Sequence, residues 1–320
     1  MKTALRWMWR IAVALIALLA GLIAILWTPD TDAAAMQAKY GGPPSRFLDL
    51  GRGLRVHVRD EGPRGAPVLV LLHGSNADLH TWDGWARSLA SRYRIVRYDQ
   101  IGHGLTGPSP TRDYRPQAFV DQLDAVAIRL GLERFVLAGN SMGGAVAWRY
   151  ALAHPERLTG LVLIDAAGAP LRAKARLPLG FRLARTPGLR DLIMNLTPRA
   201  LIERSLRQTV AREESVTPAM VDRYWELLRY PGNRQATVDR FSVPPEPARP
   251  ERLRALRVPT LVMTGEEDRL IPPSSARWFA ATIPGSRLQA YPGVGHIPME
   301  EVPEQTAADL NGWLRTTLTK

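Results

Sequence analysis

The string Gly139-Asn140-Ser141-Met142-Gly143-Gly144 joins an apolar run to an amphipathic one, and it fits a sharp strand-to-helix elbow. In such an elbow the serine takes a strained backbone conformation that lifts its hydroxyl clear of the sheet. The glycines are required because a Cβ would collide with the adjoining strand and helix. The helix that follows aims its free N-terminal N–H groups at the same point, which favours negative charge forming there. A serine hydroxyl is a weak nucleophile, so it needs a base within hydrogen-bond reach and an acid to orient that base. Two downstream loops offer them. Gly265-Glu266-Glu267-Asp268-Arg269-Leu270-Ile271-Pro272 supplies Asp268, and Gly293-Val294-Gly295-His296-Ile297-Pro298 supplies His296. Asp165 ends another apolar run and is a second candidate for the acid.

Elements must bring these residues together. From Phe47 onward, β-branched and aliphatic runs alternate with amphipathic stretches, the pattern of strands feeding crossover helices onto a mostly parallel sheet. Strands are predicted at residues 54–59, 68–72, 95–98, 135–139, 161–165, 261–264 and 288–291. Helices are predicted at 82–91, 119–130, 142–153, 274–283 and 304–318. Loops after successive parallel strands share one edge, so Ser141, Asp268 and His296 can converge across large sequence separations. Between the strands ending at 165 and starting at 261, a stretch of helical period is broken by Pro178, Pro187, Pro198, Pro218 and Pro231. It is too long for a crossover and is expected to form a cap over about residues 168–250.

With the elbow, the Asp268 loop and the His296 loop in hand, two further blocks stand out: His73-Gly74-Ser75-Asn76 and Asp99-Gln100-Ile101-Gly102-His103-Gly104. Together the five blocks, over roughly residues 47–318, resemble the α/β-hydrolase fold serine hydrolases, in their capped esterase- and lipase-like branch. The resemblance implies a mostly parallel eight-stranded sheet flanked by helices, with a helical cap. It also implies an oxyanion hole built from the backbone N–H groups of Ser75 and Met142, with His73 and Gly74 in the supporting loop. A serine at the elbow excludes the relatives that carry aspartate there and form an alkyl-enzyme ester.

The remaining histidines read differently. His73 and His103 lie in glycine turns and are expected to be structural, while His57, His80 and His154 belong to no partnered motif. No pair of them has metal-ligand spacing beside carboxylates, so neither a catalytic metal nor a cofactor is expected. The absence of cysteine removes thiolate and disulfide chemistry. The 42 Lys and Arg against 30 Asp and Glu give +12, but no zinc-ligand set, basic zipper or RNP-like run accompanies the excess, and no nucleic-acid partner is expected. Residues 171–250 carry 15 basic and 8 acidic residues, which concentrates positive charge in the cap.

The first thirty residues are a different material. Residues 11–27 carry no charged or hydroxyl side chain, and Trp7, Trp9 and Trp27 flank them as interfacial aromatics would. Lys2, Arg6 and Arg10 precede the run and Asp30 and Asp32 follow it, so the positive-inside rule keeps the N-terminus cytoplasmic and exports the rest. The expected organisation is a transmembrane signal-anchor at residues 1–32, a linker at 33–46 and the catalytic domain at 47–320. Ala33-Ala34-Ala35 offers the rival reading of signal cleavage and secretion. Apolar cap residues, among them Leu177, Phe181, Leu189, Leu192, Ile193, Met194, Met220, Tyr224, Trp225 and Leu228, suit a small hydrophobic ester. The elbow also resembles that of carbon–carbon bond hydrolases acting on ring-fission diketones, and a catalytically retired, membrane-tethered binding protein is the third reading.

Overall fold

The computed structural model describes residues 2–170, 179, 181, 182, 186 and 194–318. One sheet holds β1 (Ser45–Asp49), β2 (Arg55–Glu61), β3 (Val68–Leu72), β4 (Arg94–Tyr98), β5 (Phe135–Asn140), β6 (Leu158–Ile164), β7 (Thr260–Gly265) and β8 (Arg287–Tyr291). Their order is β1-β2-β4-β3-β5-β6-β7-β8. β2 runs antiparallel to β1 and β4, and the other neighbours are parallel. The helices, in chain order, are α1 (Lys2–Leu26), α2 (Ala33–Tyr40), α3 (Asp83–Leu89), α4 (Pro116–Arg129), α5 (Met142–Ala153), α6 (Arg199–Arg207), α7 (Pro218–Leu228) and α8 (Asn233–Ser242). They continue with α9 (Pro250–Leu253), α10 (Pro273–Thr282), α11 (Pro298–Glu301) and α12 (Pro303–Thr317).

The period of two along each strand divides the core into two layers. Val70 and Leu72 of β3 join Phe119, Leu123, Val146 and Phe279 from α4, α5 and α10 on one side. Leu69 and Leu71 join Trp85, Leu89, Leu310 and Leu314 from α3 and α12 on the other. All six residues of β5 and all six of β7 are buried, so the strands that carry Ser141 and Asp268 at their ends are clamped on both faces. Burial of each such aliphatic side chain is worth roughly 1.5–3 kcal/mol.

β1 is not legible in the sequence. Its pattern Ser-Arg-Phe-Leu-Asp buries only Leu48, because it is an edge strand with little apolar surface to advertise. α1 contains a span, Thr3–Leu26, with a mean hydropathy of 2.5 and none of it buried, long and apolar enough to cross a membrane.

The segment after α1 differs from the expected linker. Thr28 N–H donates to Asn195 O (2.8 Å), and Thr28 Oγ1 accepts from Thr197 N–H (2.8 Å). Arg234 of α8 donates to Thr28 O (2.7 Å) and to Asp30 Oδ1 (2.7 Å), while Arg229 donates to Pro29 O (3.1 Å). Asp32 then caps α2 by accepting from Ala35 N–H, and Met36 packs with Leu105 and Leu227. Residues 28–40 are therefore a strap bound to α7 and α8. Sequence composition hid it because its partners lie about 165–205 positions away.

Candidate active site

Ser141 joins β5 to α5 with φ 56° and ψ −115°, a conformation L-residues rarely adopt. The surroundings over-determine it. Ser141 N–H donates to Ile164 O (2.9 Å), and Ser141 O accepts from Ala145 and Ala167 N–H (3.0 Å each). A Cβ on Gly139 would lie 2.3 Å from Gly143 O, and one on Gly143 would lie 2.3 Å from Leu72 O. The strain is thus held by packing of α5 against β3 and β5, as a nucleophile elbow requires.

His296 and Asp268 meet at 2.6 Å between Nδ1 and Oδ2, both buried. Asp268 Oδ1 already accepts from Leu270 N–H (2.7 Å) and Ile271 N–H (2.9 Å), so the hydrogen of this contact belongs on Nδ1, which leaves Nε2 as the basic nitrogen. The ring's backbone is fixed as well: His296 N–H donates to Thr209 O (2.8 Å), and Asn140 Nδ2 donates to His296 O (3.0 Å).

Asp165 stands behind this pair. Its Oδ1 accepts from Thr264 Oγ1 (2.7 Å) and Gly265 N–H (3.2 Å), and burial together with the Asp268 carboxyl pushes its pKa well above the usual carboxylate range. Asp165, Asp268 and His296 offer donor atoms all within 4.8 Å of one another, a three-ligand geometry that the histidine spacing does not announce. Burial favours the neutral form of Asp165, so the cluster keeps one carboxylate charge, on Asp268, which accepts from His296 Nδ1 and the Leu270 and Ile271 N–H groups.

The loop after β3 faces the elbow. Gly74 approaches so closely that a Cβ would lie 2.8 Å from Asn140 Oδ1 and 3.2 Å from Ser141 Cβ. His73 is wholly buried: Gln100 N–H donates to its Nε2 (3.0 Å), so Nδ1–H donates to Gly74 O (2.8 Å), and burial lowers its pKa. Asn76 sits at φ 60°. Two residues without a sequence signal hold this loop, Thr237 and Arg240 of α8. Thr237 Oγ1 donates to Asn76 Oδ1 (3.1 Å), and Arg240 Nη2 donates to both Ser75 Oγ (3.0 Å) and Asn76 Oδ1 (2.6 Å). Burial pulls the Arg240 pKa down to about 9, which still leaves it charged at neutral pH. Met142, the first residue of α5, contributes an N–H with no partner in its own helix.

A cleft of about 1030 Å³, partly open to solvent, is lined by Ser141, His296, Ser75 and Asn76 on the sheet side. Phe181, Met194, Leu201, Leu206, Tyr224 and Leu228 line the cap side. Met220 and Trp225 lie elsewhere, and Leu177, Leu189, Leu192 and Ile193 are outside the described residues. Arg234 and Thr197 also line the cleft, and both are bound by the strap. Of the other histidines, His57 is buried against Asp99 (2.7 Å), His103 packs edge-on to His73, His80 meets Tyr40 O, and His154 stacks on Tyr150.

Residues 67–303 match the family described as alpha/beta hydrolase fold. The chain is 30% identical over 283 residues to a 2-hydroxymuconate semialdehyde hydrolase of Pseudomonas putida, covering 85% of this chain and 96% of that protein. It is 28% identical over 266 residues to a pimeloyl-[acyl-carrier protein] methyl ester esterase of Nitrosomonas europaea, covering 78% and 96%. Among solved structures, a bacterial membrane phospholipase A superposes with a TM-score of 0.72 at 25% identity, covering 100% of both chains. Fold, elbow and family match agree: this chain belongs to the α/β-hydrolase fold family and shares its architecture with hydrolases.

Proposed function

We propose that this protein is a membrane-anchored serine hydrolase that cleaves esters of apolar carboxylic acids. The observation that carries the reading is the combination of a strained Ser141 and a His296 bonded to Asp268 at one end of an apolar cleft. His296 Nε2 takes the Ser141 hydroxyl proton as Oγ attacks the carbonyl carbon. The N–H groups of Ser75 and Met142 receive the oxyanion, and loss of one such donor costs on the order of 3 kcal/mol. Collapse breaks the ester C–O bond while His296 returns the proton to the leaving alcohol. A water activated by the same Nε2 then releases the acid.

A second reading, carbon–carbon bond cleavage of a ring-fission diketone acid, draws support from the named activity of the Pseudomonas putida relative. The cleft supports the ester reading better, because its Arg234 is already engaged by Asp30 and Thr28 O rather than free for a substrate carboxylate. Fluorophosphonate labelling of the wild type but not of Ser141→Ala tests the nucleophile. Turnover of p-nitrophenyl esters against a vinylogous diketone acid separates the two chemistries; faster cleavage of the diketone would replace the ester reading.

We also infer that α1 stays attached, with its N-terminus cytoplasmic and the catalytic domain exported. Cleavage at Ala33-Ala34-Ala35 would strip Thr28 and Asp30 from Arg234, which is only 8% exposed. N-terminal sequencing of the protein recovered from membranes tests this, and a start within residues 34–36 would sink it.

A further inference from the structure

Arg240 carries a charge that no group among the described residues neutralises. It is 8% exposed, and among the described residues no carboxylate lies within salt-bridge distance of its guanidinium. The groups whose charge it feels or perturbs are His73, His103 and Tyr114, and its helix neighbour Asp239 is taken by Arg112 (2.8 Å). Nε and Nη1 make no hydrogen bond, whereas Nη2 reaches Ser75 Oγ, Asn76 Oδ1 and, at 3.4 Å, Thr237 Oγ1. Arg234, six residues earlier on the same helix, is the contrast: its guanidinium is bound by Asp30 and Thr28 O. Burying a cation without an anion costs stability, so the packing that retains Arg240 does so against its own interest.

We propose that Arg240 is a positioning residue for the oxyanion loop: from behind the loop it fixes the direction of the Ser75 N–H, and its unneutralised charge favours an anion formed in front. This rests on the ester-hydrolase reading. The loop needs such a hold. Asn76 occupies the left-handed region, a conformation that costs energy unless its side chain is tied, and Arg240 and Thr237 both bond its Oδ1. A slack loop would let the Ser75 donor swing off line. The charge matters because a buried site screens it less than water does, so a group that only approaches the oxyanion still acts on it. The planar guanidinium lets one nitrogen serve two acceptors, which lysine reproduces only in part.

The test uses the full chain in detergent, with kcat and KM for p-nitrophenyl butyrate, Ki for an alkyl trifluoromethyl ketone, Tm, and stoichiometric fluorophosphonate labelling. In Arg240→Met, kcat falls about 100-fold with KM within about threefold, and ketone binding weakens by a similar factor, because the ketone adduct carries the oxyanion. Tm holds or rises, since an unneutralised buried cation has gone. Arg240→Lys recovers about tenfold of the lost kcat. Should Arg240→Met not fold, Arg240→Gln, which keeps an amide donor but no charge, is read by the same criteria. A kcat within about threefold of wild type overturns the proposal, as does a kcat that falls only in step with Tm while ketone affinity is unchanged. A wild-type enzyme that is neither labelled at Ser141 nor active on the ester overturns the underlying reading too, and is distinct from a labelled, active wild type with unimpaired Arg240 variants.

Discussion

Ser141, Asp268 and His296 each depend on a neighbour that makes an ordinary group useful. In the proposed mechanism the hydroxyl, the imidazole and the carboxyl act as one unit, so Ser141→Ala and His296→Ala are each expected to lower ester turnover by several orders of magnitude, and the double variant by little more. Near-wild-type kcat in either folded single variant would refute the mechanism. Asp268→Asn is expected to cost about 100-fold or more, because the amide disturbs both the tautomer and the charge stabilisation of His296. Asp165→Asn should be milder in rate and should act on stability. Since the folded state raises the Asp165 pKa, this carboxyl keeps its proton in the native protein above about pH 3.9, where the unfolded chain has released its own, so the stability that Asp165 contributes is lost as pH rises towards the raised folded pKa. Asparagine keeps the carbonyl acceptor for Thr264 and does not titrate. Its Tm advantage over the wild type should grow between pH 4 and 8, and a pH-independent difference in Tm would remove the argument.

At the scale of elements, the sequence marked the central strands well because residues 135–138 of β5 and 261–263 of β7 are unbroken apolar runs and each strand reaches a glycine near its C-terminal end. It was silent on β1, whose burial rests on one leucine, and on the strap, whose order comes from distant partners: Asn195 and Thr197 before α6, Arg229 after α7, and Arg234 of α8. The strap revises what truncation should do. From composition alone, removing residues 1–32 ought to leave a soluble and active domain. In the fold, that cut deprives Arg234 and Thr197 of partners at the cleft wall. Removing residues 1–27 is therefore expected to preserve Tm and activity on a short ester, while removing 1–32 lowers both. Asp30→Ala alone should cost about 1–2 kcal/mol in denaturant titration, since Asp30 is half exposed and Arg234 is not. Identical Tm and turnover for the two truncations would mean the strap is passive.

For the molecule as a whole, charge reads differently in sequence and in space. The basic excess of residues 171–250 suggests a cap drawn to anionic lipid. Among the described residues, however, Arg199 pairs with Asp222 and Glu203, Arg207 with Glu203 and Glu213, Arg223 with Asp78 and Glu300, and Arg234 with Asp30. Arg229 stacks on Trp225 and Arg240 is buried. Four of the fifteen basic residues are paired in this way; if such pairing removes the cap's outward field, the protein lacking residues 1–27 sediments equally and weakly with neutral and anionic vesicles at low and high salt. Salt-sensitive, anion-selective binding would restore the lipid-facing field. The sequence by itself determined the mostly parallel sheet, the elbow, the candidates for acid and base and the apolar N-terminal helix, because each is written in contiguous residues with a recognisable periodicity or glycine spacing. Only the tertiary structure decided which of the described arginines are paired, that residues 28–40 are bound rather than free, and that Arg240 bonds Ser75 Oγ. Those outcomes depend on pairings between distant segments, and a chain's local pattern carries no record of them.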